Sequence, residues 1–214
     1  MEKKNKLYSF LLWLFFLTPI TLISLIFYYA SIGGFGDMPD LEVLENPKTN
    51  LASEVISSDG KTLGKYYFND NRTPVTFDEL PTHLVDALIA TEDIRFYSHS
   101  GIDFKRTFGA ALKLGKDGGG STITQQLAKQ LFTGEGSRDI IERISQKIKE
   151  YIIAVRLERH YTKNEIITQY LNIYDFNNNA DGIRSAARIY FGKEPIDLDT
   201  NESAILVGML KNSS

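Results

Sequence analysis

Thirty consecutive positions, Leu7 to Gly36, carry no charged side chain, and no other feature constrains the folding of this chain as strongly. Residues 7–29 read LYSFLLWLFFLTPITLISLIFYY. As a helix they are long enough to cross a hydrocarbon core of about 30 Å. Lys3, Lys4 and Lys6 precede the run. By the positive-inside rule, residues 1–6 form a cytoplasmic tail and the remainder lies across the membrane. Trp13, Tyr28 and Tyr29 supply interfacial anchors, and Pro19 is tolerated within such a span. A cleaved signal peptide and a buried core helix are the alternatives. A signal h-region covers only about 7–15 residues and needs a small-x-small cleavage site, for which Ala30-Ser31-Ile32-Gly33 is a poor candidate. The expectation is an uncleaved, single-pass anchor.

Whole-chain averages conceal this asymmetry. With 43% hydrophobic and 24% charged residues, the 214-residue chain is neither disordered, collagenous nor polytopic. Residues 1–36 carry three lysines against Glu2, a net of +2. Taking that from the total of −3 leaves −5 outside the anchor, which is no footprint for nucleic acid. The absence of cysteine excludes a disulfide scaffold and any thiolate metal or redox site.

Residues 30–80 form a connector punctuated by Gly33, Gly34, Gly36, Pro39 and Pro47. Within it, Asp59-Gly60 separates two β-prone runs of residues 54–68 and predicts a hairpin. From residue 81 to 214 the pattern is helical. Leu84, Val85, Leu88 and Ile89 make one apolar stripe. After a glycine-rich break, Thr122-x-x-Gln125 reads as a capping box opening a helix with Ile123, Leu127 and Leu131 on one side. Past Gly134 and Gly136 the spacing predicts a long helix over about 138–160 that buries Ile140, Ile141, Ile144, Ile148, Tyr151, Ile152 and Val155. Shorter helices are expected over about 163–172, 183–190 and 201–211. The fold class is mainly α, with a small β-hairpin linker and one N-terminal transmembrane helix.

Glu92 is the most informative carboxylate. At about 100° per residue it falls within the Leu84–Ile89 stripe, and burial there would raise its pKa into the range of a general base or acid. Alternatively the helix stops before it and leaves a solvated residue. Glu150 lies opposite the long helix's apolar stripe, in a row with Arg143, Lys147 and Ala154. Spacing alone favours a solvated face with helical ion pairs. The functional alternative is a cleft-lining row where cations meet an anion, with Lys129, Arg138 and Lys149 adding positive charge. His99, near Asp93 and Asp103, reads better as a hydrogen-bonded structural histidine than as a metal ligand. Gly118 to Thr122 resembles a phosphate-cradling turn at a helix N-terminus. It lacks the lysine and preceding strand of a nucleotide P-loop.

Together these segments resemble the peptidoglycan glycosyltransferase domain (glycosyltransferase family 51) of class A penicillin-binding proteins and monofunctional transglycosylases, over about Leu80 to Ser214. The first family motif, Glu-Asp-x-x-Phe-x-x-His-x-Gly-x-Asp, is matched by Glu92, Asp93, Phe96, His99, Gly101 and Asp103. The second runs from Gly119 through Leu127 to Lys129. Lys147, Glu150, Ala154, Leu157 and Glu158 match the third, where Gln146 stands in place of the usual Arg. Tyr170-Leu171-Asn172, Gly182 and Tyr190 to Lys193 carry the fourth, with Asn177 replacing a common Gly, and Glu202 to Lys211 the last.

The resemblance implies a lysozyme-like helical lobe and a smaller lobe dipping into the membrane surface, with residues 104–114 as its contact. It implies that Glu92 deprotonates the acceptor hydroxyl of lipid II, which attacks the lipid-linked donor glycan with inversion and releases undecaprenyl pyrophosphate. It also implies that Glu150 is the second catalytic carboxylate. Asp93, His99, Ser121, Thr122, Gln125, Gln126, Lys129, Arg138, Arg143, Lys147, Lys149 and Asn172 are the expected substrate-binding residues. A divalent cation, Mg²⁺ or Mn²⁺, is an expected cofactor, with Asp93 and Glu150 as its candidate ligands. Expected partners are lipid II, the lipid-linked glycan strand, the membrane and other proteins of the cell-wall synthesis machinery. The expected location is the cytoplasmic membrane, with the catalytic domain on its outer, periplasmic face. The chain stops just after the last motif, as a truncated class A protein would. A lytic hydrolase and an inactive wall-associated scaffold are the competing readings; the hydrolase also needs carboxylates but attacks with water.

Overall fold

The computed structural model describes residues 2–40, 43–44, 53–59, 62–66, 72–112, 120–134 and 136–210. Helix α1 (Glu2–Ser31) contains the apolar run. Its Tyr8–Ser31 segment has a mean hydropathy of 2.4 and is long and apolar enough to cross a membrane. None of its apolar window is buried in the protein, which removes the core-helix reading. Thr18, Thr21 and Ser24 donate their hydroxyls to the carbonyls of Leu14, Leu17 and Ile20, at 2.6, 2.9 and 2.9 Å. Their polarity is thereby satisfied within the helix, as an apolar surround demands.

Strands β1 (Ser53–Ile56) and β2 (Thr62–Tyr66) pair antiparallel with Ser53 opposite Tyr66, which is the hairpin the Asp-Gly signal predicts. Gly60 itself lies outside the described residues. The helical domain then builds one apolar core. Helix α2 (Thr82–Glu92) supplies Leu84, Val85 and Leu88, and α4 (Ile123–Ala128) supplies Ile123 and Leu127. Helix α6 (Lys163–Ile173) adds Ile166, Ile167, Tyr170 and Leu171. Helices α7 (Gly182–Phe191) and α8 (Thr200–Leu210) close it with Ile183, Ala186, Leu206 and Val207. The boundaries follow ordinary capping chemistry. Thr162 and Glu165 form a reciprocal capping box at the start of α6. The connector is more than a spacer, since Leu44, Val75 and Leu80 belong to the same core.

Helix α5 (Ile140–His160) overturns an expectation. Its buried residues are Glu150, Ile153, Ala154 and Leu157, on the side assigned to solvent by periodicity. The isoleucine stripe points away from the core, and Ile140, Ile141 and Ile144 are 74, 76 and 56% exposed. The helix begins at Ile140 because Asp139 caps it, accepting from the amides of Ile141 and Glu142 at 2.9 Å each. Further along the stripe, Tyr151 meets Phe27 of α1 with ring centroids 6.4 Å apart. The physical reason is that α5 is apolar on two sides, one against the core and one that partly meets α1 and is otherwise exposed.

Candidate active site

Helix α2 does extend to Glu92, its last residue, which is half-buried rather than sequestered. Oε2 of Glu92 accepts from Nε2 of Gln126 at 2.8 Å. Behind it, the hydroxyl of Tyr170 donates to Oε1 of Gln126 at 3.0 Å. Arg106, on α3 (Phe104–Leu112), donates to the Glu92 backbone carbonyl and closes the end of α2. Burial, followed by the charge of Glu92, pushes the Tyr170 phenol far above its ordinary range.

Asp93 turns inward, 1% exposed. His99 Nε2 lies 3.1 and 3.0 Å from its two oxygens, and the Ile123 amide donates to Oδ2 at 3.1 Å. His99 is therefore the structural histidine its spacing suggests. Asp103 is held below the usual carboxylate range: burial opposes this, but the Arg106 amide and the Arg95 guanidinium outweigh it. Arg95 reaches Asp103 at 2.8 Å through Nε and 2.7 Å through Nη2. The loop between them turns at Gly101, whose φ of +86° only glycine adopts freely. A Cβ there would lie 2.8 Å from the carbonyl oxygen of Ala154.

The expected capping box at Thr122 is half formed. Thr122 Oγ1 accepts from the Gln125 amide at 3.2 Å, but the Gln125 side chain donates to the Gly101 carbonyl at 3.1 Å instead of reaching back. Thr122 Oγ1 also donates to that carbonyl, at 2.7 Å. With Ile123 N–H on Asp93 and Gln125 N–H on Thr122, these donors of the helix terminus are taken by the protein, so the phosphate-cradle reading loses them. Gly118 and Gly119 lie outside the described residues. Gln125 is fully buried and braces the loop. Asn172 is engaged too: it accepts from the Val75 amide at 2.8 Å and donates to its carbonyl at 2.9 Å.

A second cluster gathers around Glu150, 7% exposed on the inner face of α5. Lys147 Nζ bridges Glu150 Oε2 at 2.6 Å and Ser121 Oγ at 2.7 Å, while Thr133 Oγ1 stands 3.5 Å from Oε1. Glu150 is therefore not on a solvated face, whereas Arg143 of the same row is exposed. Lys129 follows α4 at the head of a π turn, Lys129–Thr133, a deviation common at functional sites. Lys129, Arg138, Arg143 and Lys149 carry no protein partner among the described residues. Lys149 packs beside Gly36 of the connector. Gln146 does not stand in for the missing arginine; its carbonyl accepts from the Ser137 amide at 2.9 Å and ties down the loop before α5.

Among the described residues no three His, Asp or Glu side chains converge on a metal-sized site. Asp93 is committed to His99 and Ile123, and Glu150 to Lys147, so the two carboxylates do not form a dedicated cation cage. Sequence reasoning did not single out Tyr170, Arg106 or Thr133 as site residues. Tyr170 carries a signal that was available, a hydroxyl on an otherwise apolar helix face.

Among the described residues the structure thus holds one accessible carboxylate, Glu92, and a buried carboxylate–lysine pair, Glu150 with Lys147. Residues 59–214 match the Transglycosylase family model, and the chain belongs to that family. It is 37% identical to penicillin-binding protein 1A of Pseudomonas aeruginosa over 217 residues, which covers 98% of this chain and 25% of that protein. It is 39% identical to penicillin-binding protein 1A of Escherichia coli over 83% of this chain and 21% of that protein. Penicillin-binding protein 1F of Bacillus subtilis is 40% identical over 77% of this chain and 23% of its own length. The chain therefore spans about a quarter of the length of these relatives.

Proposed function

We propose that this chain is a membrane-anchored peptidoglycan glycosyltransferase that polymerises lipid II with inversion and releases undecaprenyl pyrophosphate. The observation that carries the reading is Glu92: a half-buried carboxylate with Oε2 held by Gln126 and Oε1 without a partner among the described residues, inside a fully matched first motif.

In this reading Oε1 of Glu92 accepts the proton of the acceptor sugar hydroxyl as its oxygen bonds to the anomeric carbon of the donor. The bond from that carbon to the pyrophosphate oxygen breaks, and the electron pair leaves with the pyrophosphate. Such a leaving group needs charge stabilisation rather than a general acid. Lys129, Arg138, Arg143 and Lys149 supply it, and Lys147, held by Glu150, fixes Ser121 at its edge. A divalent cation that takes part would arrive on the phosphates, as Mg²⁺ commonly does.

Helix α1 fits a permanent anchor, with its N-terminus cytoplasmic and the catalytic domain outside. The exposed Phe104 and Phe108 of α3 and Ile140, Ile141 and Ile144 of α5 suit contact with the bilayer surface that holds the substrate's lipid tail. Expected partners remain lipid II, the growing strand and the wall-synthesis machinery.

The test is lipid II polymerisation by the full chain in vesicles, with and without moenomycin, an inhibitor of the family. Glu92→Gln should abolish strand formation while leaving the melting temperature close to the parent's. Retained polymerisation by Glu92→Gln would remove Glu92 as the base. Solubilisation of finished cell wall without release of undecaprenyl pyrophosphate would instead support the hydrolase.

A further inference from the structure

We propose that Tyr170 is a positioning residue for Glu92: by donating to the carbonyl end of the Gln126 amide, it keeps the amino end on the Glu92 carboxylate. The proposal rests on Glu92 being the base, as inferred above.

A primary amide has one accepting and one donating end. Here they are assigned by their neighbours: Tyr170 Oη lies 3.0 Å from Gln126 Oε1, and Gln126 Nε2 lies 2.8 Å from Glu92 Oε2. Rotating the amide by a half-turn would set a carbonyl oxygen against the ionised carboxylate. It would also leave the Tyr170 O–H without an acceptor, on a residue that is completely buried beside the rings of Tyr174 and the Tyr174–Phe176 pair. Both losses oppose the rotation, and a bond at one end of the amide polarises and strengthens the bond at the other. Burial and the nearby Glu92 charge keep the phenol protonated, so it remains a donor across the working range.

Three helices are joined by this chain of bonds: α6 through Tyr170, α4 through Gln126 and α2 through Glu92. Arg106 from α3 donates to the Glu92 backbone carbonyl, and Asp93 faces His99 and the Ile123 amide. The Tyr174 hydroxyl donates to the Leu210 carbonyl at 2.5 Å. The ionised carboxylate is thus held in one rotamer by a neutral donor on Oε2, with Oε1 left for the acceptor hydroxyl. A cation in Gln126's place would make Glu92 a weaker base, and an apolar residue would let it swing.

Tyr170→Phe keeps the ring and removes only the hydroxyl. In the full chain it should lower kcat for lipid II polymerisation about three- to tenfold, the factor for one neutral hydrogen bond, with KM unchanged. In a Gln126→Ala background, Tyr170→Phe should change kcat no further. Gln126→Leu gives a second route to the same loss of kcat at unchanged KM if Tyr170→Phe folds poorly. An unchanged kcat in Tyr170→Phe and Gln126→Leu, a rise in KM in place of the fall in kcat, or fully additive kcat losses overturns the proposal. Retained polymerisation by Glu92→Gln is instead the failure of the base assignment.

Discussion

Gly101→Ala is the perturbation whose cost follows most directly from geometry. At φ +86° an alanine is strained, by about 1–2 kcal/mol relative to glycine. The new Cβ would also stand 2.8 Å from the carbonyl oxygen of Ala154, 2.9 Å from its carbonyl carbon and 3.1 Å from the Val155 amide nitrogen. All three are backbone atoms of α5, so no side-chain rotation relieves the contact. The loop must shift, and with it the carbonyl that accepts from Thr122 and Gln125. Weakening one such buried bond adds about 1 kcal/mol, for a total of about 2–3 kcal/mol. In a domain of this size that is a loss of about 4–12 °C in melting temperature. Thermal melts followed by circular dichroism in detergent measure it. Gly208→Ala in α8 is the matched control, since a Cβ there meets nothing within 4 Å. It should stabilise by about 0.5–1 kcal/mol through helix propensity. If Gly101→Ala melts within 2 °C or so of the parent, the claim that Gly101 is demanded by its backbone contact is wrong.

Lys147→Met strips the ion-pair partner from the buried Glu150. Because the lysine side chain is 37% exposed, the loss should be a discounted 1–2 kcal/mol or about that, and adding Glu150→Gln should recover most of it, as a double-mutant cycle would record. Asn172→Ala leaves both Val75 backbone groups without their partner, so chemical denaturation should show a loss of about 2–4 kcal/mol. Stability should be flat between about pH 5 and 9 and fall on both sides in pH-dependent melts. The Glu79 and Glu165 carboxyls are lowered, chiefly by the backbone amides of Thr76 and Thr162. Their contribution is present above the unfolded value of about 4.3 and lost as pH drops through the lower folded values. Burial raises Tyr151 and Tyr170, so their contribution is intact below about pH 10 and lost as pH climbs beyond it.

Local order was legible wherever it depends on near neighbours in the chain. The membrane-length helix follows from an uninterrupted apolar run, the hairpin from Asp59-Gly60, and most helix limits from caps and breaks within a few residues. The motifs single out Glu92, Asp93 and Glu150, although the partners of these side chains were not legible. Gln125 and Gln126 are adjacent and chemically identical, yet one braces the Gly101 loop and the other holds Glu92. Only the rotation of α4 against α2 separates them. Asn172 likewise reads as a site residue until Val75, far away in sequence, occupies its amide.

What the amino-acid order determined alone is therefore local: a membrane-length helix, a turn, capped helices and a set of chemical groups at set intervals. The tertiary structure decided which side of each helix faces inward. Periodicity shows that α5 has an apolar stripe, but a helix with two apolar sides can bury either. Packing of Ile153, Ala154 and Leu157 against the core chose the side that carries Glu150. A carboxylate that spacing would leave in water is thereby buried against Lys147, and the isoleucines at the start of α5, which spacing would bury, stand exposed.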